Sequence, residues 1–222
     1  MSAEPGATRI VLVRHGESRC NVDGIVGGRR GCTGLSEQGA EEVGALAARL
    51  VRSGELAGTT ALYASSLPRA IETAEILRAA LESGSGGVAL PIRVEPELCE
   101  IDPGQADGLS WREVFDRFGP FDFDDVSRSA VPGCESWVDF VGRAAAAVVH
   151  LADVHPGQLV VVACHGGIVE ASMLRLLPLA DGVARLNLKT KNASMTEWER
   201  AGGRWTLLRY NDGGVAHPPI MP

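Results

Sequence analysis

Short apolar runs rich in β-branched residues alternate with longer amphipathic stretches over the first 177 residues. The runs RIVLV at 9–13, ALYAS at 61–65 and QLVVVA at 158–163 have the length and composition of buried strands. A stretch with apolar residues at helical spacing follows each run. Strands that alternate with helices in this way predict a mainly parallel central sheet covered by helices on both faces, which is a three-layer α/β sandwich.

Local signals place the remaining elements. We expect Ser36 to cap the first long helix and Gly54 to end it. The other expected elements are, in chain order, an extended segment within 88–98, a short helix after the capping box of Ser110 and Glu113, an irregular flap over 118–133, a helix over 135–152, an alternating run at 183–189 and two strand-like runs around a Gly202-Gly203 turn. The last two features predict an antiparallel edge strand near the C-terminus. No composition break divides the chain, so residues 1–222 are expected to form a single domain.

Charged or ionisable residues stand at the ends of four apolar runs. The first run ends on Arg14-His15, the second leads to Arg69, the third extended segment ends on Glu100, and the last ends on His165-Gly166. Ligands of an open parallel sheet bind beyond the carboxyl ends of its strands. We therefore expect these side chains to converge on one crevice.

The chemistry of this set points to phosphoryl transfer. A neutral imidazole is a competent nucleophile because its ordinary pKa is about 6.5. Transfer of a phosphoryl group needs in-line positioning and positive charge around the equatorial oxygens, which Arg14 and Arg69 supply as bidentate donors. The helix that begins at Gly166 offers free backbone N–H groups, and His165 adds a donor if it is protonated. Glu100 is the candidate proton donor, with Asp102 as the competing carboxylate, and no divalent metal is required.

Composition excludes several other classes of protein. The net charge of −7 gives no general basis for binding nucleic acid. The N-terminus lacks the features of a signal peptide, and no apolar run is long enough for a membrane span, so we expect a cytoplasmic protein without membrane contact. Five scattered cysteines without a CxxC pair argue against a disulfide framework and a zinc site. No arginine stands six residues after any cysteine, which excludes a cysteine phosphatase loop, and no Walker loop is present.

An ordered set of short motifs resembles the histidine phosphatase superfamily, which includes the cofactor-dependent phosphoglycerate mutases. In chain order the motifs are VRHGES at 13–18 with Asn21, LSEQG at 35–39, ASSLPRA at 64–70 with Thr73-Ala74, Glu100 with Gly104 and Gly108, PGCES at 132–136, HGG at 165–167 and NASMT at 192–196. The RHG triplet alone is weak, but the ordered set is specific because it spans nearly the whole chain.

The resemblance implies a role for each matched residue. His15 would be the phosphorylated nucleophile, Arg14, Arg69 and His165 the phosphate pocket, Asn21 a further phosphate contact and Glu100 the proton donor. No metal and no organic cofactor would be needed. A small phosphorylated metabolite or inorganic phosphate would be the ligand, and the sequence does not decide between a monomer and a homodimer.

Departures from the mutase pattern favour a phosphatase. The mutases carry an Asn-Glu-Arg segment at the acid, where this chain has Cys99-Glu100-Ile101, and the chain is short for a mutase. We therefore expect hydrolysis of small phosphomonoesters. A mutase, and a phospho-ligand-binding protein without turnover, stay open as alternatives.

Four residues of the glycine-rich loop are further candidates for contact with substrate. Arg29 and Arg30 are candidates for gripping a second anionic group, although a solvated charge pair is the favoured interpretation. Thr33 and Gly34 either line the substrate entrance or form an ordinary turn.

Overall fold

A six-stranded sheet forms the centre of the computed structural model, which describes residues 6–120, 125–129, 131–177 and 188–213. The strands are β1 (Thr8–Arg14), β2 (Thr59–Ala64), β3 (Ile92–Val94), β4 (Leu159–Cys164), β5 (Met195–Ala201) and β6 (Arg204–Asp212). Their order across the sheet is β3-β2-β4-β1-β5-β6. The strands β3, β2, β4 and β1 are parallel to one another, whereas β5 pairs antiparallel with β1 and β6 pairs antiparallel with β5.

Helices cover both faces of this sheet. The helices are α1 (Arg19–Val22), α2 (Glu37–Ser53), α3 (Pro68–Gly84), α4 (Trp111–Phe118), α5 (Trp137–Val154) and α6 (Gly166–Leu176), with short 3-10 turns at Pro96–Leu98 and Gly104–Ala106. On β1, Ile10 and Leu12 pack in the cluster formed with α5 and α6, and Val11 and Val13 pack in the cluster formed with α2 and α3. This alternation follows from the two-residue period of a strand. None of the helices in the described ranges is long and apolar enough to cross a membrane.

The predicted three-layer architecture is confirmed. The antiparallel edge contains two strands, and the Gly202-Gly203 turn joins them. The third extended segment is short, because Pro91 and Pro96 flank β3 and have no N–H to donate to a neighbouring strand. Parts of two predicted segments lie outside the described residues: 121–124 and 130 of the flap, and 183–187 of the alternating run.

The predicted caps also form. Ser36 accepts a hydrogen bond from the backbone N–H of Gly39, and Gly54 ends α2 in the left-handed conformation with φ of 64°. Ser110 and Glu113 make both hydrogen bonds of a capping box at the start of α4. Ser36, the N-cap of α2, donates its backbone N–H to the carbonyl of Glu17 at 2.9 Å. The first turn of α2 therefore lies directly against the segment that follows β1.

Gly39 should be required for this contact. A Cβ at position 39 would lie 1.9 Å from the carbonyl oxygen of Glu17, whereas a Cβ at Gly44 in the same helix would meet nothing within 4 Å. Gly39→Ala is expected to lower the free energy of unfolding by about 1–3 kcal/mol through overpacking. Gly44→Ala should raise it by up to about 1 kcal/mol, since alanine is the better helix former. Urea unfolding of both variants measures this, and equal stability of the two would contradict the close contact.

Candidate active site

The carboxyl ends of the parallel strands bring the two predicted histidines together. His15 follows β1 and His165 follows β4, and these strands pair in register from Arg9 with Leu159 to Arg14 with Cys164. The ring centroids lie 5.2 Å apart with an interplanar angle of 62°. Both side chains are buried.

The hydrogen bonds of His15 fix its tautomer. Its Nδ1 lies 2.6 Å from the carbonyl oxygen of Gly16. A carbonyl oxygen only accepts, so Nδ1 carries the proton and Nε2 holds the lone pair. Arg69 Nε donates to this Nε2 at 3.0 Å. The lone pair of His15 therefore points at the guanidinium of Arg69 and accepts its hydrogen bond.

Burial keeps both imidazoles neutral. Desolvation lowers the pKa of His15 well below its ordinary value, and the charge of Arg69 lowers it further. The same two causes, in the same order, lower the pKa of His165. The sequence left a protonated His165 open, but this lowered pKa makes the ring neutral near neutral pH when no ligand is bound. His165 Nε2 lies 2.7 Å from the hydroxyl of Ser65, and its Nδ1 has no hydrogen-bond partner among the described residues.

Two guanidiniums flank the imidazoles. Arg69 is buried and donates through Nη1 to the carbonyl of Gly27 at 2.6 Å. Arg14 is half-buried and donates through Nη1 to the carbonyl of Thr190, while its Nε is buried without an acceptor among the described residues. Burial lowers the pKa of Arg14, and the charge of Glu100 opposes this shift. The group remains charged near neutral pH, so its buried N–H favours an anionic acceptor.

Glu100 lies against the N-terminus of α6. Its Oε2 accepts from the backbone N–H of Gly167 at 3.1 Å, and its Oε1 accepts from the N–H of Ile101 at 3.1 Å. A Cβ at position 167 would lie 2.1 Å from Oε1, so only glycine allows the carboxylate to approach. The competing Asp102 is exposed, and its Oδ1 accepts from the N–H of Gly104 at 2.9 Å. Position therefore favours Glu100 over Asp102. Gly166, the other predicted residue here, is the first residue of α6, and a Cβ there would lie 3.8 Å from the guanidinium carbon of Arg14.

Asn21 lies at the mouth of the site. It is exposed, and its Oδ1 accepts from the hydroxyl of Ser18 at 2.7 Å. It lines a cavity of 410 Å³ together with Arg69 and Glu100. Asn21 thus belongs to the same crevice as the buried groups.

The four loop candidates do not line this cavity. Arg30 donates to the carbonyl of Asp107 at 3.1 Å, and Arg29 is exposed and lines a second cavity of 370 Å³. The carbonyl of Thr33 accepts from Arg19. Gly34 is buried, and a Cβ there would clash with Glu72 of α3. The placement of Thr33 and Gly34 agrees with the ordinary-turn interpretation.

Sequence reasoning missed the apolar side of the crevice. One side of the 410 Å³ cavity is formed by apolar side chains that we call the apolar recess: Val26, Ile101, Trp111, Phe115, Val131 and Trp137. The exposed pair Trp111 and Phe115, one turn apart on a short capped helix, was the available signal. Ser65 was also missed as a partner of His165, because it is one serine among many. In the part of the chain that the structure describes, no group of three or more His, Cys, Asp and Glu side chains is placed to hold a metal ion.

Several known proteins are similar to this chain over nearly its whole length. A metal-independent phosphoserine phosphatase of Arabidopsis thaliana is 30% identical over 98% of this chain and 86% of that protein. Phosphoglycerate mutase-like protein 4 of the same plant is 27% identical over 94% of this chain and 86% of that protein. The structure of a mycobacterial glucosyl-3-phosphoglycerate phosphatase aligns with a TM-score of 0.75 and 27% identity, covering 93% of this chain and all (100%) of that one.

That mycobacterial enzyme has also been solved in complex with VO3 and with inorganic phosphate. The model of the histidine phosphatase superfamily (branch 1) matches residues 10–213. The chain therefore belongs to the histidine phosphatase superfamily.

Proposed function

We propose that the protein hydrolyses small phosphomonoesters through a covalent phosphohistidine on Nε2 of His15. One observation carries this proposal: the lone pair of a neutral, buried imidazole is held in a fixed direction beside the guanidinium of Arg69. An imidazole in this state attacks phosphorus without first losing a proton. The phosphatases among the relatives support the same reaction class.

The first step transfers the phosphoryl group to the protein. When substrate binds, Arg69 exchanges its hydrogen bond to Nε2 for one to a phosphoryl oxygen. The Nε2 lone pair then forms a bond to phosphorus while the bond from phosphorus to the ester oxygen breaks. Arg69 and Arg14 hold the equatorial oxygens, and the N–H groups at the start of α6 add positive potential. The protonated carboxyl of Glu100 gives its proton to the departing oxygen, so an alcohol leaves.

The second step returns the protein to its starting state. Water attacks the phosphorus, the carboxylate of Glu100 takes a proton from this water, and the bond to Nε2 breaks. Inorganic phosphate leaves, and His15 is again neutral with its proton on Nδ1. Glu100 lines both cavities, which gives water a path to its carboxylate.

Isomerisation of a phosphorylated acid is the alternative within the family. The segment Cys99-Glu100-Ile101 departs from the mutase pattern at the acid, and this departure supports hydrolysis. A mutase must retain the phosphoryl group until the second acceptor oxygen replaces the first. Open access of water to Glu100 works against that retention.

Replacing His15 tests the nucleophile. His15→Ala removes the atom that forms the covalent bond, so kcat should fall by at least about a thousandfold. Release of inorganic phosphate from a panel of phosphomonoesters that includes 3-phosphoglycerate is the measurement. Labelled protein quenched in alkali should carry phosphohistidine in the wild type and none in the variant.

His150→Ala is the matched control, because His150 is an exposed residue of α5 away from the strand ends. It should retain full activity. Activity of His15→Ala within tenfold of the wild type would remove His15 as the nucleophile. Conversion of 3-phosphoglycerate to its isomer without release of phosphate would favour the mutase, and binding of phosphate without turnover of any ester would favour a binding protein.

Replacing Gly167 tests the position of Glu100. The Cβ of Gly167→Ala would displace the Glu100 carboxylate, and a displacement of about 1 Å is expected to lower kcat by roughly a hundredfold. Gly142→Ala on α5, whose Cβ would meet nothing within 4 Å, is the control and should be neutral. If the effect acts through Glu100, adding Gly167→Ala to Glu100→Gln should lower kcat little further. Independent, additive losses would contradict the positioning role.

Chelators test the source of positive charge. The arginines and the helix N-terminus place positive charge around the phosphate without a metal ion, so the proposed mechanism is metal-independent. Dialysis against EDTA should leave kcat and KM unchanged within experimental error. Loss of activity that returns only with added divalent cation would contradict this part of the mechanism.

A further inference from the structure

The apolar recess opens directly from the phosphate site. Arg69 and Glu100 line the same 410 Å³ cavity as the recess, while His15 lies buried behind them. A phosphate held between His15 and the arginines therefore directs its ester oxygen toward Glu100, and the leaving group continues into the recess. The volume falls within the range of about 300–1,000 Å³ that is typical of small-molecule sites.

We propose that the preferred substrates are monoesters whose leaving group is an apolar alkyl or aryl group seated in the apolar recess. This inference rests on the proposed hydrolase function and names its substrate class. Three aromatic side chains line the recess: Trp111 and Phe115 of α4, and Trp137 at the start of α5. Below them, Val26 and Val131 belong to a buried apolar cluster with Val114 of α4, so the floor of the recess is apolar as well.

The charges around the recess do not favour a second anionic group on the substrate. Among the described residues, the cavity is lined, besides Arg69 and Glu100, by one further guanidinium, Arg128, and by two further carboxylates, Asp125 and Glu135. The adjoining cavity is more acidic: its lining charges are the carboxylates of Glu97, Glu100, Asp102 and Glu135 and the guanidiniums of Arg29 and Arg143. A carboxylate or second phosphate on the leaving group would thus meet more negative than positive charge.

Two further cations near the crevice, Arg143 and Arg30, are held by other partners. Arg143 forms an ion pair with Glu135 at 2.7 Å and donates to the carbonyl of Glu97 at 2.7 Å. Arg30 donates to the carbonyl of Asp107. A polar leaving group in the recess would lose water without gaining matching partners, which costs free energy. An apolar one gains from leaving water.

A series of n-alkyl phosphates from propyl to hexyl isolates this effect. The acidity of the leaving alcohol is nearly constant along the series, so the bond-breaking step is the same for each ester. We expect kcat/KM to rise roughly two- to fourfold for each added methylene until the recess is filled. Phosphoserine and 3-phosphoglycerate should have kcat/KM values at least about a hundredfold below that of hexyl phosphate, because their charged groups must lose water in the recess.

The double variant W111A/F115A should flatten the series. Both side chains are about half exposed, at 48% and 49%, so their removal spares the buried core. Leu208→Ala on the edge strand β6 removes a side chain of similar exposure, 47%, that lines neither cavity, and it should keep the wild-type slope. The ratio of kcat/KM for hexyl and propyl phosphate does not depend on the fraction of folded protein, so a folding defect cannot imitate the result.

The outcomes separate this inference from the function on which it rests. Turnover of all esters with a flat series, or with phosphoserine as the better substrate, would overturn the apolar recess as the leaving-group site and leave the phosphatase in place. Absence of phosphate release from every ester would overturn the proposed function and this inference together. A rising series in the wild type that persists unchanged in W111A/F115A would also overturn the assignment of the recess.

Discussion

The contact between Arg69 Nε and His15 Nε2, 3.0 Å long, is the interaction on which the rest of the site depends. A permanent cation beside the ring disfavours an imidazolium, so the lone pair stays available. Within the described residues, neither Arg69 nor Arg14 forms an ion pair with a carboxylate. Positive charge that is withdrawn from water without a paired carboxylate is costly, and a phosphate dianion is the group that compensates it.

The sheet explains why these groups meet. In the parallel pairs β1–β4 and β2–β4, Cys164 stands beside Arg14 and Ala163 beside Ala64, so the three strands end at the same level. The residue that follows each strand then faces the same crevice. The backbone hydrogen bonds between β1 and β4 continue for one more residue, because His15 N–H donates to the carbonyl of Cys164 at 3.0 Å. The same rule of strand ends made His15 and His165 predictable from the sequence.

The features that the sequence did not reveal are determined by the burial of side chains and by the conformation of loops. The neutral state of His165 follows from desolvation, and the local sequence does not show how deeply a side chain is buried. The requirement for glycine at 167 follows from the approach of Glu100, which lies 67 residues earlier in the chain. The apolar recess escaped prediction because the spacing of Trp111 and Phe115 on α4 was its one signal, and the segment before α5 has no pattern that tells which apolar side chains turn toward a cavity. For Arg30 the sequence favoured a solvated charge pair over an anion ligand, but it did not reveal the hydrogen bond to the carbonyl of Asp107.

In the mechanism that we propose, the two sides of the crevice have different tasks. The arginines, the two imidazoles and the start of α6 would recognise a phosphate group and would be indifferent to what it is attached to. The apolar recess would meet only the leaving group and would therefore determine which ester is processed. An apolar leaving group that fills the recess also displaces water from beside Arg69 and Glu100, and the lower local dielectric strengthens their attraction for the charge that develops on the phosphoryl oxygens and the ester oxygen. Binding in the recess therefore contributes to kcat as well as to KM, because the stronger electrostatic attraction is realised fully only in the transition state.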